Sequence, residues 1–282
     1  MPELPEVETI KQTLASKLTG RSITGIVLFH AGAIVHPSPE EFADRIRESR
    51  VLGLRRRGKY LLIDLSSGQT LVIHFRMTGR LVFHSQPATA APHTRLIIEL
   101  DGGGQLHFVD SRKFGRLWLW PTAALDGNGP VARLGREPLE DGFTREFLRL
   151  ELSRRRGKIK PLLLDQTFIA GLGNIYVDEA LHLAPLHPEP PASDLSPAEI
   201  ARLHRAIGRV LQDGIDHHGT TLRDYRDGTD AAGRHQEYLR VHRQKACPVC
   251  GTAIRRKRVA GRGTHFCPFC QKEEAEGMEH GE

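Results

Sequence analysis

Apolar residues near the N-terminus recur every three or four positions. In residues 6–18 (EVETIKQTLASKL) this spacing places one set of apolar side chains on a single helical face: Val7, Ile10, Leu14 and Leu18. Most of the other positions are polar. The pattern predicts a helix that packs its apolar face against a core.

Between about Ser22 and Trp120 the apolar residues alternate with polar ones or form short runs. The runs include TLVIHF, TRLIIEL and RLWLW, and turn sequences such as SSGQ, TGR and DGGGQ separate them. Such runs, bounded by glycine and polar residues, are typical of strands with one buried face. This part of the chain is predicted to form an antiparallel β-sandwich or barrel.

Helical spacing returns after PTAALDGNGPVARLG, a stretch rich in proline and glycine that is typical of a domain boundary. Helical patterns follow in five segments: 144–153, 160–165, 175–183, 197–217 and 221–225. These segments predict a helical domain.

All four cysteines lie close together near the C-terminus: Cys247, Cys250, Cys267 and Cys270. The spacing C-x2-C-x16-C-x2-C suits one tetrahedral Zn²⁺ held by two thiolate pairs. Two disulfides are the alternative, and they are disfavoured in a chain that lacks a secretion signal. Because four thiolates leave no open coordination position, the predicted zinc is structural.

The predicted fold class is α+β. Its parts are an N-terminal antiparallel β-sandwich domain (1–130), a helical domain (131–235), a zinc ribbon with a hairpin near VAGRGT (236–272) and a disordered acidic tail (273–282).

Composition restricts the function classes. The chain has 282 residues, 39% of them hydrophobic, and no run of 18 apolar residues, which argues against a transmembrane helix. The start PELPEVE is acidic where a signal peptide is basic and then apolar, so a cytoplasmic protein is expected. The net charge is +6, and basic residues concentrate in SRRRGKIK (153–160) and in residues 231–272. This distribution favours a polyanionic partner.

The first residues, MPELPEVE, carry candidate chemistry. Removal of Met1 leaves Pro2 with a secondary amine, a nucleophile whose pKa is about 8, and Glu3 follows it. The ordinary alternative is a proline that is tolerated before a helix and has no chemical role.

Other candidates lie at predicted turns. Lys59 in RRRGKYLLIDL begins an apolar strand, where a lysine can be held over a pocket. Met77 in HFRMTGRL, and Arg112 and Phe114 in DSRKFGRL, lie at β-turns, and an exposed Met there suits a wedge into stacked bases. Partly buried turn side chains would explain the same pattern.

The glycine-rich string QTFIAGLGNIYVDEAL predicts a turn before a helix. Asn174 is predicted to cap a helix that begins at Ile175 and whose N-terminus can receive a phosphate. An ordinary cap in a helical hairpin is the alternative.

Together, MPELPEVET, RRGKYLL, HFRMTG, DSRKFG, QTFIAGLGNIYVDEAL and CPVCG…GRGTHFCPFCQK resemble, in content and order, the formamidopyrimidine-DNA glycosylase family. The resemblance runs from residue 2 to residue 272. It implies a β-sandwich domain joined to a helix-two-turns-helix domain and a zinc finger, with DNA in the cleft between the domains.

The resemblance also implies residue roles. Pro2 attacks C1′ of a damaged nucleotide, Glu3 is the acid that helps to open the sugar, and Lys59 assists the lyase steps. Arg262, at the tip of the zinc hairpin, contacts the lesion phosphate and assists the second elimination. The implied DNA contacts are Met77, Arg112 and Phe114 in the gap left by an everted base, Asn174 on a phosphate, and His93 and Arg155.

The implied activity is base-excision repair of DNA. It comprises removal of oxidised purines (formamidopyrimidines and 8-oxoguanine) through a Pro2 Schiff base, then β,δ-elimination by the lyase activity. The implied partner is damaged double-stranded DNA, bound by a monomer that carries one Zn²⁺ and works in the cytoplasm at the nucleoid.

Two alternatives stay open. An endonuclease VIII-like glycosylase for oxidised pyrimidines shares Pro2, Glu3 and the finger, although LPEVE and DSRKFG argue against it. A non-enzymatic zinc-ribbon DNA-binding protein would not need Pro2, Glu3 and Lys59 intact. The segment after Tyr225 departs from the family pattern at Arg234–His235 and at 241–243, close to the loop that covers an everted purine in the family, so a change in lesion preference is expected.

Overall fold

Residues 1–272 are described by a computed structural model. The chain packs into two compact units. The first unit comprises Met1–Leu134 and Asp213–Glu237, and the second comprises Gly135–Gln212 and the described residues from Tyr238 onward. The predicted tail, 273–282, lies outside the described residues. No helix among residues 1–272 is long and apolar enough to cross a membrane.

The first unit begins with a helix and continues with nine strands and two short helices. Its elements are α1 (Leu4–Leu18), β1 (Ile23–Leu28), β2 (Ile34–His36), α2 (Pro39–Ile46), β3 (Val51–Arg57), β4 (Tyr60–Leu65), β5 (Gln69–His74), β6 (Arg80–His84), β7 (Thr94–Leu100), β8 (Gln105–Val109), β9 (Arg116–Pro121) and α3 (Leu125–Asn128).

These strands form two sheets, which confirms the predicted sandwich. One sheet has the order β1-β7-β8-β6 and is antiparallel throughout, and the other has the order β2-β9-β5-β4-β3. Only the short edge strand β2 runs parallel to its neighbour β9. One apolar cluster joins α1 to both sheets, and its buried members include Val7, Ile10, Leu61, Leu71, Leu106 and Phe108.

The second unit is helical and ends in a two-stranded ribbon. Its elements are α4 (Arg145–Ser153), α5 (Ile159–Leu164), α6 (Asn174–Leu183), most of α7 (Pro197–Asp216), β10 (Arg255–Val259) and β11 (Arg262–Phe266). The antiparallel hairpin β10–β11 turns at Ala260 and Gly261, which both have positive φ, and this confirms the hairpin predicted near VAGRGT.

The observed helices differ from the predicted ones. The sequence pattern did not predict α2, which Ser38 caps by accepting the amide hydrogen of Glu41. Residues 221–225 form a bend rather than a helix. The Thr221 hydroxyl donates a hydrogen bond to the Tyr225 carbonyl at 3.1 Å, and this local bond competes with helical hydrogen bonding.

The segment 213–237 packs with the first unit, although the sequence pattern placed residues up to 235 in the helical domain. Thr220 N–H donates to Glu6 of α1 at 2.7 Å, and Gly228 N–H donates to Thr13 of α1 at 3.1 Å. The four-part domain scheme stays a prediction.

Candidate functional site

The N-terminus is buried at the start of α1. Met1 is half exposed, whereas Pro2 is buried and Glu3 is only 3% exposed. Glu3 is the N-cap of α1, and its backbone N–H donates to the Glu6 carboxylate at 2.8 Å in a capping box. The same hydrogen bonds that begin the helix therefore hold Glu3 in one position beside Pro2.

Glu6 links this N-terminus to the segment 213–237 of the same unit. It is 1% exposed and accepts hydrogen bonds from the backbone of Glu3 and from that of Thr220 at 2.7 Å. The Tyr225 hydroxyl reaches the Glu6 carbonyl at 3.4 Å. Glu6 is a positioning residue that the sequence pattern did not single out.

Lys59 lies in the tight turn between β3 and β4 rather than at the start of a strand. Gly58 in this turn has φ +54°, and Lys59 is only 6% exposed although it lies in a turn. Arg56 Nε donates to Glu8 Oε2 of α1 at 3.0 Å. This bond holds the β3–β4 turn beside the first turns of α1, the helix that Glu3 caps.

Met77, Arg112 and Phe114 come together on the surface of the first unit. Arg112 Nη1 lies 3.1 Å from Met77 Sδ, and the Arg112 guanidinium lies 4.8 Å from the centre of the Phe114 ring. Met77 and Phe114 are each 45% exposed. An exposed group of a thioether, a guanidinium and a ring can insert into stacked bases.

The buried carboxylate of Asp110 holds the two loops that carry this wedge cluster (Met77, Arg112 and Phe114). Its Oδ1 accepts hydrogen bonds from the Thr78 hydroxyl and from Arg112 N–H, the latter at 3.2 Å. Its Oδ2 accepts from Gly115 N–H at 2.7 Å. Asp110 is 1% exposed, and these buried hydrogen bonds hold both loops in place.

His93 lies beside a polar cavity of about 200 Å³ in the first unit. The cavity combines cationic side chains with hydroxyl groups and one carboxylate, and its lining consists of Thr78, Arg80, His93, Val109, Ser111, Arg223, Asp224 and Arg226. His93 adopts φ +70°, and its carbonyl accepts from Asp110 N–H at 3.0 Å. The cavity can offer both donors and acceptors to a small polar ligand.

His74 supports the turn that precedes Met77. Its Nδ1 accepts a hydrogen bond from Arg76 N–H at 3.0 Å. Burial, with the charges of Arg76 and Lys59, lowers the pKa of His74 to about 3. The imidazole is therefore neutral over the whole physiological range.

In the second unit, the hairpin tip is tied to the helices α5 and α6. Arg262 is exposed at the start of β11, and the carbonyl of the next residue, Gly263, accepts from Asn174 Nδ2 at 2.8 Å and from Lys160 Nζ at 3.1 Å. The predicted cap at Asn174 was wrong. The helix begins at Asn174 with Gly173 as its N-cap, because the Asn174 amide bonds to the hairpin instead.

A buried ionic network lies behind this contact. Lys160 Nζ lies 2.6 Å from Asp178 Oδ1 and 2.8 Å from Thr264 Oγ1. Asp178 Oδ2 lies 2.9 Å from His242 Nδ1 and 3.2 Å from His265 Nδ1. Burial alone would raise the pKa of Asp178, but hydrogen bonds from His242 and His265 and the charge of Lys160 outweigh burial and lower it.

Asp178, His242 and His265 are close enough to ligate a metal ion. The Lys160 ammonium already supplies the positive charge at Asp178, so the group is best described as an ion-pair network. Beside it, Glu179 accepts the backbone N–H groups of three successive residues, 240–242. The segment in which the sequence departs from the family pattern is thereby anchored to α6.

Arg155 follows α4 and stacks on an aromatic ring of its own unit. Its guanidinium lies 4.5 Å from the centre of the Phe168 ring, and Nη2 binds Glu151 at 2.6 Å. Its buried Nε has no hydrogen-bond partner among residues 1–272.

The four cysteine sulfurs converge on one point. All lie within 4.8 Å of one another, and three separations are 3.8 Å (Cys247–Cys270), 3.5 Å (Cys250–Cys267) and 3.5 Å (Cys250–Cys270). A tetrahedral site with Zn–S of about 2.3 Å requires separations of about 3.8 Å, whereas a disulfide requires about 2 Å. The cysteines are free, and their geometry fits zinc.

Comparison with protein families agrees with this geometry. Three family models match: the formamidopyrimidine-DNA glycosylase N-terminal domain at residues 1–117, the formamidopyrimidine-DNA glycosylase H2TH domain at 134–226, and the zinc finger found in FPG and IleRS at 244–272. The chain belongs to the formamidopyrimidine-DNA glycosylase family.

Individual relatives are similar over nearly their whole length. The formamidopyrimidine-DNA glycosylase of Pelotomaculum thermopropionicum is 56% identical over 274 residues, which cover 96% of this chain and 99% of the relative. Two solved structures of Lactococcus lactis Fpg are 36% identical and cover 96% of this chain and 100% of theirs. One is a complex with an abasic site containing DNA, with a TM-score of 0.91. The other is a complex with an N7-benzyl-Fapy-dG containing DNA, with a TM-score of 0.90.

These findings confirm the predicted family, fold class and cofactor. This member of the family holds one structural zinc through Cys247, Cys250, Cys267 and Cys270. The roles predicted for Pro2 and the other site residues stay predictions.

Sequence reasoning missed the buried residues that position the site. They are Glu6, Asp110, Lys160, Asp178 and Glu179. Lys160 and Asp178 each lie within a quoted motif, but nothing in the spacing of either motif signals their pairing.

Proposed function

We propose that this glycosylase excises oxidised purines from double-stranded DNA and cleaves the resulting abasic site. The observation that carries the proposal is the N-terminus of the first unit, where Pro2 and Glu3 are buried at the start of α1. A chain terminus is usually exposed and mobile, so the burial of Pro2 and Glu3 supports a functional role for them. Removal of Met1 makes the Pro2 nitrogen a secondary amine.

In the proposed reaction, the Pro2 nitrogen attacks C1′ and the C1′–base bond breaks, so that the base leaves with the bonding electron pair. Glu3 donates a proton that opens the sugar, and an iminium ion forms between Pro2 and C1′. The iminium ion acidifies C2′, whose proton is lost as the C3′–O bond breaks. In a second elimination the C4′ proton is lost as the C5′–O bond breaks, and water then hydrolyses the iminium and releases Pro2.

Lys59 and Arg262 assist these steps through their charge. Lys59 is only 6% exposed in the turn between β3 and β4, and its ammonium is proposed to assist the eliminations. Arg262 is exposed on a hairpin whose next carbonyl is held by Asn174 and Lys160, so its guanidinium is presented to a phosphate.

Damaged double-stranded DNA is the proposed partner, bound by one copy of the chain at the nucleoid in the cytoplasm. The target base must leave the stack to expose C1′. The wedge cluster can fill the vacated space, and His93, Arg155 and Asn174 are proposed to contact the DNA. The polar cavity beside His93 is proposed to read the everted base.

Borohydride trapping on duplexes tests this proposal. The native chain lacking Met1 should form a covalent adduct with an abasic-site duplex. Pro2→Gly, or a form that retains Met1, should lose most of the adduct while still binding the duplex. A fully active form that retains Met1 and is trapped at another residue would contradict the role of Pro2.

The same experiment separates the alternatives. A non-enzymatic DNA-binding protein would bind the duplex without a trapped adduct. An endonuclease VIII-like enzyme would be trapped more efficiently on duplexes with oxidised pyrimidines than on those with formamidopyrimidines.

A further inference from the structure

The zinc site has a close neighbour that is not a cysteine. His182, in the last turn of α6, is 3% exposed, and its Nε2 lies 3.3 Å from Cys247 Sγ. Cys247 is also 3% exposed. Both residues belong to the second unit, and the spacing of the cysteines gives no hint of this contact.

The chemistry of a zinc-bound thiolate decides the direction of the hydrogen bond. Zinc binds cysteine as the thiolate, which has lone pairs but no proton to donate. Nε2 must therefore carry the hydrogen. A neutral imidazole has one N–H, so Nδ1 is then an acceptor.

The surroundings of Nδ1 agree with this assignment. Nδ1 is buried and has no hydrogen-bond partner among residues 1–272. With the proton on Nδ1, a buried donor would lack an acceptor and the Nε2 lone pair would face the thiolate lone pairs. With the proton on Nε2, the only cost is one unsatisfied acceptor.

The other sulfurs show why such a donor is useful. Four thiolates and Zn²⁺ carry a net charge of −2, which is costly to keep in a partly buried site. The Cys250 sulfur lies 3.3 Å from the Thr252 hydroxyl, and the Cys267 sulfur accepts from Cys270 N–H at 3.4 Å. For Cys247, His182 is the side-chain donor that spreads this charge.

We propose that His182 is an outer-sphere residue of the zinc site, whose Nε2–H donates to the Cys247 thiolate and slows the loss of zinc. The bond also joins the C-terminal end of α6 to the zinc ribbon. Asn174, eight positions earlier, ties the start of the same helix to the hairpin at Gly263. Zinc retention and the placement of α6 against the ribbon are thus coupled through one helix.

Transfer of zinc to a chromogenic chelator measures the rate at which the protein loses its metal. His182→Phe keeps the ring volume and removes the N–H, and it should release zinc about 10-fold faster than the wild type, since loss of an outer-sphere partner typically lowers metal affinity by at least that factor. His182→Gln keeps an N–H donor and should lie between the two. His204→Phe is the matched control, since it removes an imidazole hydrogen bond to the Phe143 carbonyl (2.7 Å) in the same unit.

Nuclear magnetic resonance on the wild-type protein measures the bond itself. In cadmium-substituted protein, the His182 Hε2 proton should show a scalar coupling to ¹¹³Cd across the hydrogen bond. This readout needs no variant and stands even if His182→Phe fails to fold. The proposal is overturned if His182 carries its proton on Nδ1, or if a folded His182→Phe releases zinc at the rate of the wild type. Neither readout involves DNA, so the result is independent of the proposed catalytic function.

Discussion

The ammonium of Lys160 lies 2.6 Å from the carboxylate of Asp178, and both side chains are completely buried. An ion pair of this kind forms because each charge, left alone in the interior, would be far more costly than the pair. Its location behind the Gly263 carbonyl makes it the support of the hairpin that carries Arg262.

Breaking this pair should destabilise the second unit strongly. Asp178→Asn keeps the side-chain shape but removes the carboxylate charge that faces the buried Lys160 ammonium, so we expect a loss of about 3–5 kcal/mol in the free energy of unfolding. Urea unfolding at neutral pH measures it. Glu146→Gln is the matched control, because Glu146 and Arg149 form an exposed pair on α4 and such pairs contribute little to stability. Equal losses in the two variants would show that the network does not support the fold.

The wedge cluster should matter most when the target base is still paired. Met77→Ala should slow excision of a paired lesion by about tenfold, because unstacking costs a few kcal/mol and the wedge occupies the void. Cleavage of a preformed abasic site should change much less. Phe29→Ala, an exposed aromatic residue of the same unit outside the cluster, should affect neither substrate. Single-turnover rates on both duplexes test this prediction. If Met77→Ala slows both reactions equally, Met77 does not act as a wedge.

Acid should destabilise the first unit through His74. Its pKa is about 3 when folded and about 6.5 when unfolded, so the unfolded chain binds more protons between these values. The contribution of neutral His74 is complete above about pH 6.5 and is lost as the pH falls toward 3, by up to ~1.4 kcal/mol per pH unit.

His74→Asn keeps an acceptor for Arg76 N–H but cannot titrate, so its stability should fall less steeply from pH 7 to pH 5. Urea unfolding at several pH values gives both slopes. His107 and His235, whose pKa values burial also lowers, are present in both proteins, so the difference between the slopes isolates His74. Identical slopes would mean that protonation of His74 does not lower the free energy of unfolding.

Zinc removal should weaken DNA binding through the hairpin. Cys267→Ser removes one ligand, so we expect loss of the metal and weaker binding to a lesion duplex. Arg262→Ala should retain one zinc per chain but lose a phosphate contact and lyase efficiency. Metal analysis and binding titrations on both variants test this, and an active preparation without zinc would refute the structural role of the metal.

Lesion preference should depend on the cavity beside His93 and on the segment after Tyr225. We expect full activity on formamidopyrimidine and abasic sites and reduced activity on 8-oxoguanine opposite cytosine. A pocket discriminates by leaving its buried polar groups unpaired with the wrong base. Arg226→Ala should change the ratio of the two excision rates, whereas Arg45→Ala, on α2 of the same unit, should not. Faster excision of 8-oxoguanine than of formamidopyrimidine by the wild type would contradict this prediction.

Local pattern and spacing by themselves determined much of this protein. The apolar face of α1 is buried as its helical spacing predicted, because a period of three to four residues is a property of the helix alone. Two C-x2-C turns are enough to indicate a tetrahedral metal site, since each turn directs its own two sulfurs. The ordered motifs were enough to indicate the family.

Only the tertiary structure decided which buried groups meet. Asp110 is joined to Thr78 across 32 positions and Lys160 to Thr264 across 104, and His182 reaches Cys247 across 65. Local periodicity carries no information about such pairs, because it reports which face of an element is buried and not what packs against it. Asn174 shows the same limit: its sequence position favoured a helix cap, but a hairpin carbonyl 2.8 Å away offered the amide a different partner.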